Sequence, residues 1–140
     1  MEPTATTFRY ERPELRRSKA FVKFFRTDLM SAEVQVIGQG GENNLHTHQA
    51  SDGFWMVLEG QARFYGEGDV IVAELGPLEG VHIPRGFPYW FESSGPSPLE
   101  IIHVAASVLG HEGPDRVDLE ERKLTQRDKE YVDGSSAAPA

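Results

Sequence analysis

The chain of 140 residues contains no cysteine. It therefore has no disulfide, no thiolate metal site and no cysteine nucleophile. It also lacks any apolar run close to the roughly 20 residues that a membrane-spanning helix needs, and its first residues show neither the apolar stretch nor the cleavage pattern of a secretory signal. We therefore expect a one-domain cytoplasmic protein with no membrane partner.

Positive charge is scarce in the middle of the chain. Residues 30–106 contain only Arg63 and Arg85 as cations against ten carboxylates, whereas residues 1–29 carry seven cations and four carboxylates. Affinity for nucleic acid depends mainly on neutralising phosphates. The acidic middle segment therefore argues against a nucleic-acid partner. The chain also has no GxSxG, phosphate-loop, GxGxxG or HExxH motif, which argues against serine hydrolases, nucleotide-binding proteins and metalloproteases.

Short β-type runs fill the segment from Ser31 to Val108. They read AEVQVI, FWMVLEG, QARFYGEGD, VIVAELG, GVHIP, YWFESSG and PLEIIHVAA, with Gly, Asn and Pro between them. Such spacing predicts an all-β sandwich or barrel. The run FVKFFR at residues 21–26 predicts one more strand at an edge of the same sheet. Because an exposed edge needs a cover, we expect a homodimer in which this run takes part.

These patterns divide the chain into three parts. Residues 1–29 form an N-terminal extension, residues 30–108 the barrel, and residues 109–140 a polar tail. The tail shows a weak helical pattern around DLEERKL and TQRDKEYV, with Thr125 as N-cap and Asp128 in the first turn. Its end, DGSSAAPA, has the composition of a disordered segment.

Two histidines with one residue between them are the first candidate site. Because successive side chains of a strand alternate between faces, His46 and His48 point the same way and can bind one metal ion. A glycine turn precedes this pair, and an aromatic strand ending in Leu58-Glu59-Gly60 follows it.

The segment around this pair resembles the cupin superfamily of small β-barrels. Gly40, His46, His48 and Gly60 match its first motif in type and spacing, whereas Gly53 stands at the glutamate position with Asp52 one residue earlier. The second motif is similar to PRGFPYWFES: Pro84 and Gly86 match, but Tyr89 replaces the histidine and Ser93 the asparagine. The resemblance covers residues 30–106. It implies an all-β, double-stranded β-helix (jelly-roll) barrel.

The resemblance also implies a divalent metal inside the barrel, either iron, manganese, nickel or zinc, held by three histidines and a glutamate. Only His46 and His48 keep those positions, and two imidazoles alone make a weak site. Further ligand candidates are Asp52, His82 and His103. Alternation places His82 opposite Val81 and Ile83 and so favours an outward side chain, whereas it leaves the direction of His103 undecided.

Aromatic residues form a second candidate site, in the cavity of the same barrel. The resemblance places Tyr89 on the cavity wall, and alternation adds Phe87, Phe91 and Trp55, which suit a flat or apolar ligand. Arg85, near the mouth, is a candidate partner for a ligand carboxylate. Glu33 and Gln35 face the cavity in this interpretation, and the general base is then Glu33, Asp52 or Tyr89.

Two functions follow from these residues. The first is a small metal-dependent enzyme in which His46, His48 and His103 or Asp52 hold the ion and Tyr89 orients a small organic substrate. Its reaction class, among oxygenases, isomerases, lyases and decarboxylases, stays open. The second is a metal-free barrel that binds a small molecule without catalysis.

Overall fold

Eleven β-strands and two short 3-10 turns make up the regular structure of residues 2–134, the part of the chain that the computed structural model describes. The strands are β1 (Lys19–Arg26), β2 (Met30–Ile37), β3 (His46–His48), β4 (Ser51–Glu59), β5 (Ala62–Tyr65), β6 (Ile71–Leu75), β7 (Gly80–Ile83), β8 (Trp90–Ser93), β9 (Leu99–Ser107), β10 (Arg116–Asp118) and β11 (Lys129–Asp133). The 3-10 turns are Glu67–Asp69 and Gln126–Asp128. The all-β fold predicted by the sequence is confirmed.

Two walls of strands face each other. One is a six-stranded sheet in the order β11-β1-β2-β9-β4-β7. The other combines the pair β10-β3 with the three-stranded sheet β6-β5-β8. A bridge joins these two parts, since His46 N donates to Tyr89 O at 3.1 Å and Tyr89 N donates to His46 O at 3.0 Å. This arrangement is the jelly-roll barrel that the resemblance implied.

The apolar core fills one end of the space between the walls. Alternation turns every second side chain of β4, β5, β8 and β9 inward. The buried members include Trp55, Val57, Phe64, Phe91 and Ile101. Phe64 and Phe91 stack with ring centroids 4.8 Å apart. These rings fill that end of the barrel.

The N-terminal extension covers the outer face of the six-stranded sheet. Ala20 and Val22 of β1 and Val34 and Val36 of β2 are buried on that face. Tyr10 and Leu15 pack against them, and the ring of Phe8 stacks on that of Phe24 at 4.5 Å. The extension therefore replaces solvent over an otherwise exposed apolar surface.

The C-terminal part differs from the sequence prediction. Instead of helices it forms β10, which pairs with β3, and β11, which pairs in parallel with β1. The run at residues 21–26 therefore lies inside the sheet rather than at its edge. The predicted cap at Thr125 is present on a 3-10 turn, where its backbone N donates to Asp128 Oδ2 at 2.8 Å. The segment predicted to be disordered begins in β11, and its residues 135–140 lie outside the described residues.

The short turns are the only helical segments between residues 2 and 134, and none could cross a membrane.

Candidate functional site

A cavity of about 970 Å³ lies between the two walls. Its floor is the inner face of β1, β2, β9 and β4, and its roof comes from β3, β10 and the segments beside them. The side chains that line it include Lys19, Glu33, Gln35, Asn44, His46, His48, Trp55, Tyr89, His103, Asp115 and Arg116. The inward direction of His103, which alternation had left open, is thereby established.

Both histidines of β3 are oriented through Nδ1. In His46 this atom donates to the backbone carbonyl of Asn44 at 2.7 Å, and in His48 it lies 2.6 Å from Asp115 Oδ2. Such bonds fix the tautomer and leave Nε2 free. Burial and the nearby Arg116 charge lower the pKa of His46 to about 3. His46 is therefore neutral at pH 7, with an unprotonated Nε2.

Asp115 was not singled out by the sequence. Besides His48, its carboxylate accepts hydrogen bonds from Ala50 N at 2.7 Å and Ser51 Oγ at 2.9 Å. Burial alone would raise the pKa of Asp115, but these bonds, that of His48 first, lower it below its ordinary value. Asp115 thus links the segment before β10 to β3 and β4.

Trp55 occupies the space above Gly53, where the resemblance implied a glutamate. A Cβ at Gly53 would lie 3.2 Å from Trp55 Nε1 and 3.7 Å from His103 Nε2. The Trp55 and His103 rings stack at 3.8 Å between centroids and 10° between planes. Trp55 lines the cavity, and its ring takes the room that a larger side chain at Gly53 would need.

Tyr89 lies on the wall next to the histidines. It is 2% exposed, and its ring centroid is 4.5 Å from that of His46. Burial raises the pKa of Tyr89 well above its ordinary value, more than the opposing influence of Arg116 lowers it. Its hydroxyl is therefore protonated, so that it can donate a hydrogen bond but is a poor base or metal ligand.

The side chains present do not provide the metal ligands implied by the resemblance. Glycine and a neutral tyrosine stand at two of the four positions. Across residues 2–134 no group of three or more histidine or carboxylate side chains is close enough to hold a metal ion. The predicted set of His46, His48 and His103 is therefore not assembled. His103 instead stacks on Trp55, with its Nδ1 3.7 Å from Glu33 Oε2.

Asp52 and Arg85 form a pair at the rim. Asp52 Oδ1 accepts from Arg85 N at 3.0 Å and lies 3.2 Å from Arg85 Nε. Alternation along β4 also turns Asp52 away from Gly53 and Trp55. Asp52 still lines the cavity, so its catalytic role and the contact of Arg85 with ligand stay predictions, although each charge also serves the turn that contains Arg85.

Three further predicted positions, Phe91, Phe87 and His82, do not line the cavity. Phe91 points inward as predicted, but it is fully buried between Phe64 and Trp55 in the core. Phe87 packs against the same core. Facing inward is not the same as lining the cavity, because the core fills that end of the barrel. His82 is exposed, as alternation predicted, and so is His111.

Gln35 and Trp55 each bring an unpaired polar atom to the cavity wall. Gln35 Nε2 donates to Glu33 Oε2 at 2.6 Å. Its Oε1 is buried without a hydrogen-bond partner among the described residues. Trp55 Nε1 also lacks a partner of normal hydrogen-bond geometry there, and its polar neighbour is the Tyr89 hydroxyl, whose pKa it lowers. Buried polar atoms are nearly always hydrogen-bonded. Both residues line the cavity, so a buried acceptor and a buried donor lie in its wall.

Several cations lie along the cavity near β11, although the sequence pointed to none of them as site residues. Arg116 donates to Asn44 Oδ1 at 2.8 Å and to Asp118 Oδ1 at 2.9 Å. Lys19 and Lys129 are partners in the parallel register of β1 and β11. The sequence did not reveal these cations as cavity residues, because they belong to the two terminal segments and lie outside the two cupin-like motifs.

A family profile described as the cupin domain matches residues 33–105. Similar structures include an uncharacterized conserved protein with a double-stranded beta-helix domain from Klebsiella pneumoniae, with TM-score 0.64, 20% identity, and coverage of 80% of this chain and 87% of that chain. The Schizosaccharomyces pombe Cnp3 cupin domain has TM-score 0.60, 15% identity, and coverage of 69% of both chains. An oxalate oxidase in complex with the substrate analogue glycolate has TM-score 0.55, 17% identity, and coverage of 74% and 56%. No curated protein matches the chain in sequence.

Proposed function

The chain belongs to the cupin family, and from that premise we propose that it binds a small organic acid in the barrel cavity without needing a resident metal. The observation that carries the proposal is the pair of buried polar atoms on two side chains that line the cavity. Gln35 Oε1 and Trp55 Nε1 are both buried. A ligand that supplies a donor to the first and an acceptor to the second removes the cost of leaving them unpaired.

Charge supports an acidic ligand. Arg116 lines the cavity, and its positive charge is among the causes that lower the pKa of His46. Its Nε pairs with Asp118, but a guanidinium has further N–H donors, and a carboxylate beside it gains charge-assisted hydrogen bonds, which are stronger than neutral ones. The oxalate oxidase above was solved with glycolate, and a Lactobacillus farciminis oxalate decarboxylase similar in fold (TM-score 0.51, 19% identity) was solved with formate. These small carboxylates are natural first probes.

His46 can orient the bound acid. Its Nδ1 is committed to the Asn44 carbonyl, so that Nε2 is the atom that can accept a hydrogen bond from a ligand hydroxyl. Because the pKa of His46 is about 3, this nitrogen is an acceptor rather than a base at pH 7. Tyr89, whose ring packs on His46, keeps its proton and can donate a hydrogen bond to a developing negative charge. In this arrangement Tyr89, the predicted catalytic residue, acts as a hydrogen-bond donor to the ligand.

The test is calorimetric titration of the protein with glycolate, formate and benzoate. We expect glycolate, whose hydroxyl supplies a donor for Gln35 Oε1, to bind more tightly than formate or benzoate and with a stoichiometry of one per chain. Trp55→Phe keeps an aromatic ring but removes the indole N–H, so its affinity should fall about tenfold, the value of one hydrogen bond. Trp90→Phe is the matched control, because Trp90 Nε1 already donates to Asp69 Oδ1 at 2.9 Å. Equal binding by both variants, or no binding of any acid, would contradict the proposal.

Metal-dependent catalysis is the second candidate. It is favoured by one observation, that the bonds to Asn44 and Asp115 leave Nε2 free in both His46 and His48, as in histidines that bind metals. Elemental analysis after separate addition of iron, manganese, nickel and zinc tests this candidate. One ion per chain, lost in His48→Ala and kept in His82→Ala, would favour it over the metal-free barrel.

The homodimer stays a prediction, but its interface cannot be the edge of β1. The strand expected at the interface, β1, is paired on both sides, by β2 and β11. Within the described part of the chain the outer strands of the six-stranded sheet are β11 and β7. Light scattering tests the state of association, and a monomer would contradict the predicted homodimer.

A further inference from the structure

One lysine lies inside the barrel without an ion pair. Lys19 is 4% exposed and lines the cavity. Its Nζ lies 5.2 Å from the ring centre of Phe21 on its own strand and 5.3 Å from that of Phe91 in the opposite wall. Among residues 2–134 no carboxylate forms an ion pair with it. Lysines are almost never fully buried without such a partner, so this one needs a physical explanation.

The groups around Lys19 disfavour its charged form. Lys129 lies beside it in the parallel register, and the charge of Arg116 acts on it from β10. Glu33 favours the charge, but its carboxylate is shared with Gln35, His103 and Lys23, whose Nζ lies 3.5 Å from Oε1. Burial first, and then the two cations, lower the pKa of Lys19 to about 7. A large share of the molecules therefore carries a neutral amine at this position near pH 7.

We propose that Lys19 is a nucleophile that forms an imine with the carbonyl group of an aldehyde or 2-oxo acid in the cavity. A lysine that is buried beside other cations is an activated amine. The inference rests on the proposed binding of organic acids and narrows their class, because Arg116 lines the same cavity and can pair with the carboxylate of a 2-oxo acid.

The step balances without an oxidant or reductant. The amine lone pair forms a bond to the carbonyl carbon, and a proton passes from nitrogen to oxygen to give a carbinolamine. Loss of that oxygen as water leaves a carbon–nitrogen double bond on Lys19. When the imine is protonated, its positive charge lies over the rings of Phe21 and Phe91, which stabilise cations.

Reductive trapping tests the proposal. The protein is incubated at pH 7 with pyruvate and cyanoborohydride, which reduces an imine to a stable secondary amine, and is then measured by intact mass and peptide mapping. We expect one adduct per chain, on Lys19. Lys19→Arg should abolish it, whereas Lys23→Arg should leave it unchanged, since Lys23 pairs with Glu33. The initial rate at Lys19 should rise through a midpoint near pH 7.

Other outcomes separate the two proposals. Calorimetry with pyruvate in the absence of reductant measures binding alone. Binding of pyruvate with no adduct at Lys19 overturns the imine and leaves the proposed function standing. Adducts spread over the other lysines, with Lys19 unmodified, overturn it as well. If Lys19→Arg fails to fold, peptide mapping of the adduct on the unsubstituted protein still shows whether Lys19 is the residue that reacts.

Discussion

His48 Nδ1 and Asp115 Oδ2 lie 2.6 Å apart, although 67 residues separate them along the chain. The pair joins the strand that carries both cavity histidines to the segment leading into β10. Asp115 holds this segment further through Ala50 N and Ser51 Oγ. The orientation of one cavity side chain and the closure of the barrel therefore depend on the same carboxylate.

Asp115→Asn should lower the free energy of unfolding by about 1 to 2 kcal/mol at pH 7, since the amide cannot accept all of these hydrogen bonds. Because the pKa of Asp115 is lowered by folding, its contribution is present above the ordinary pKa and is lost as the pH falls below it. Urea unfolding at pH 7 and at pH 3 measures both effects. Glu112→Gln, an exposed change in the same segment, is the control. An equal loss at both pH values would contradict the linkage.

His46 should make the fold sensitive to mild acid. The pKa of the buried imidazole is about 3, whereas that of an unfolded histidine is about 6.5. Between these values the unfolded chain takes up a proton that the folded chain does not, so stability falls as the pH decreases from about 6.5 toward 3. His46→Asn should remove most of this slope, and His111→Asn should keep it because His111 is exposed. Unfolding midpoints of both variants at several pH values measure this slope, and an unchanged slope in His46→Asn would contradict the prediction.

The Glu33 carboxylate should make the stability of the fold depend on pH in a lower range. Burial would raise its pKa, but hydrogen bonds and charges from His103, Gln35 and Lys23 lower the pKa of Glu33 to about 2. Its contribution to stability is full above about 4.5 and disappears as the pH falls toward 2. Glu33→Gln should therefore be less stable than the unmodified chain at pH 6 and differ little from it at pH 2. Thermal melts at the two pH values measure this, and Glu74→Gln, on an exposed pair with Arg63, should show no such difference.

The sequence predicted those parts of the molecule that depend on strand alternation and on the two cupin-like motifs. It placed Tyr89, Trp55, His46 and His48 on the cavity. It misjudged Phe91, because alternation tells inward from outward but does not tell core from cavity. It missed Lys19 and Asp115, because their roles arise from contacts between segments far apart in the chain. It also expected helix where the charged run KEYVD pairs with β1, since the pairing supplies hydrogen bonds that local composition does not reveal.

The pairing of β11 with β1 should be needed for the fold. Gly134 N donates to Lys23 O at 2.7 Å, and residues two apart in a strand point the same way, so Val132 N–H is also directed at β1. Val132→Pro removes that donor and should lower the free energy of unfolding by about 1 to 3 kcal/mol more than Val132→Ala, which removes only side-chain contacts. Urea unfolding of both variants gives the difference. Because the loss frees the edge of β1, Val132→Pro should also self-associate in light scattering. Equal stability of the two variants would show that the barrel does not depend on its C-terminal strand.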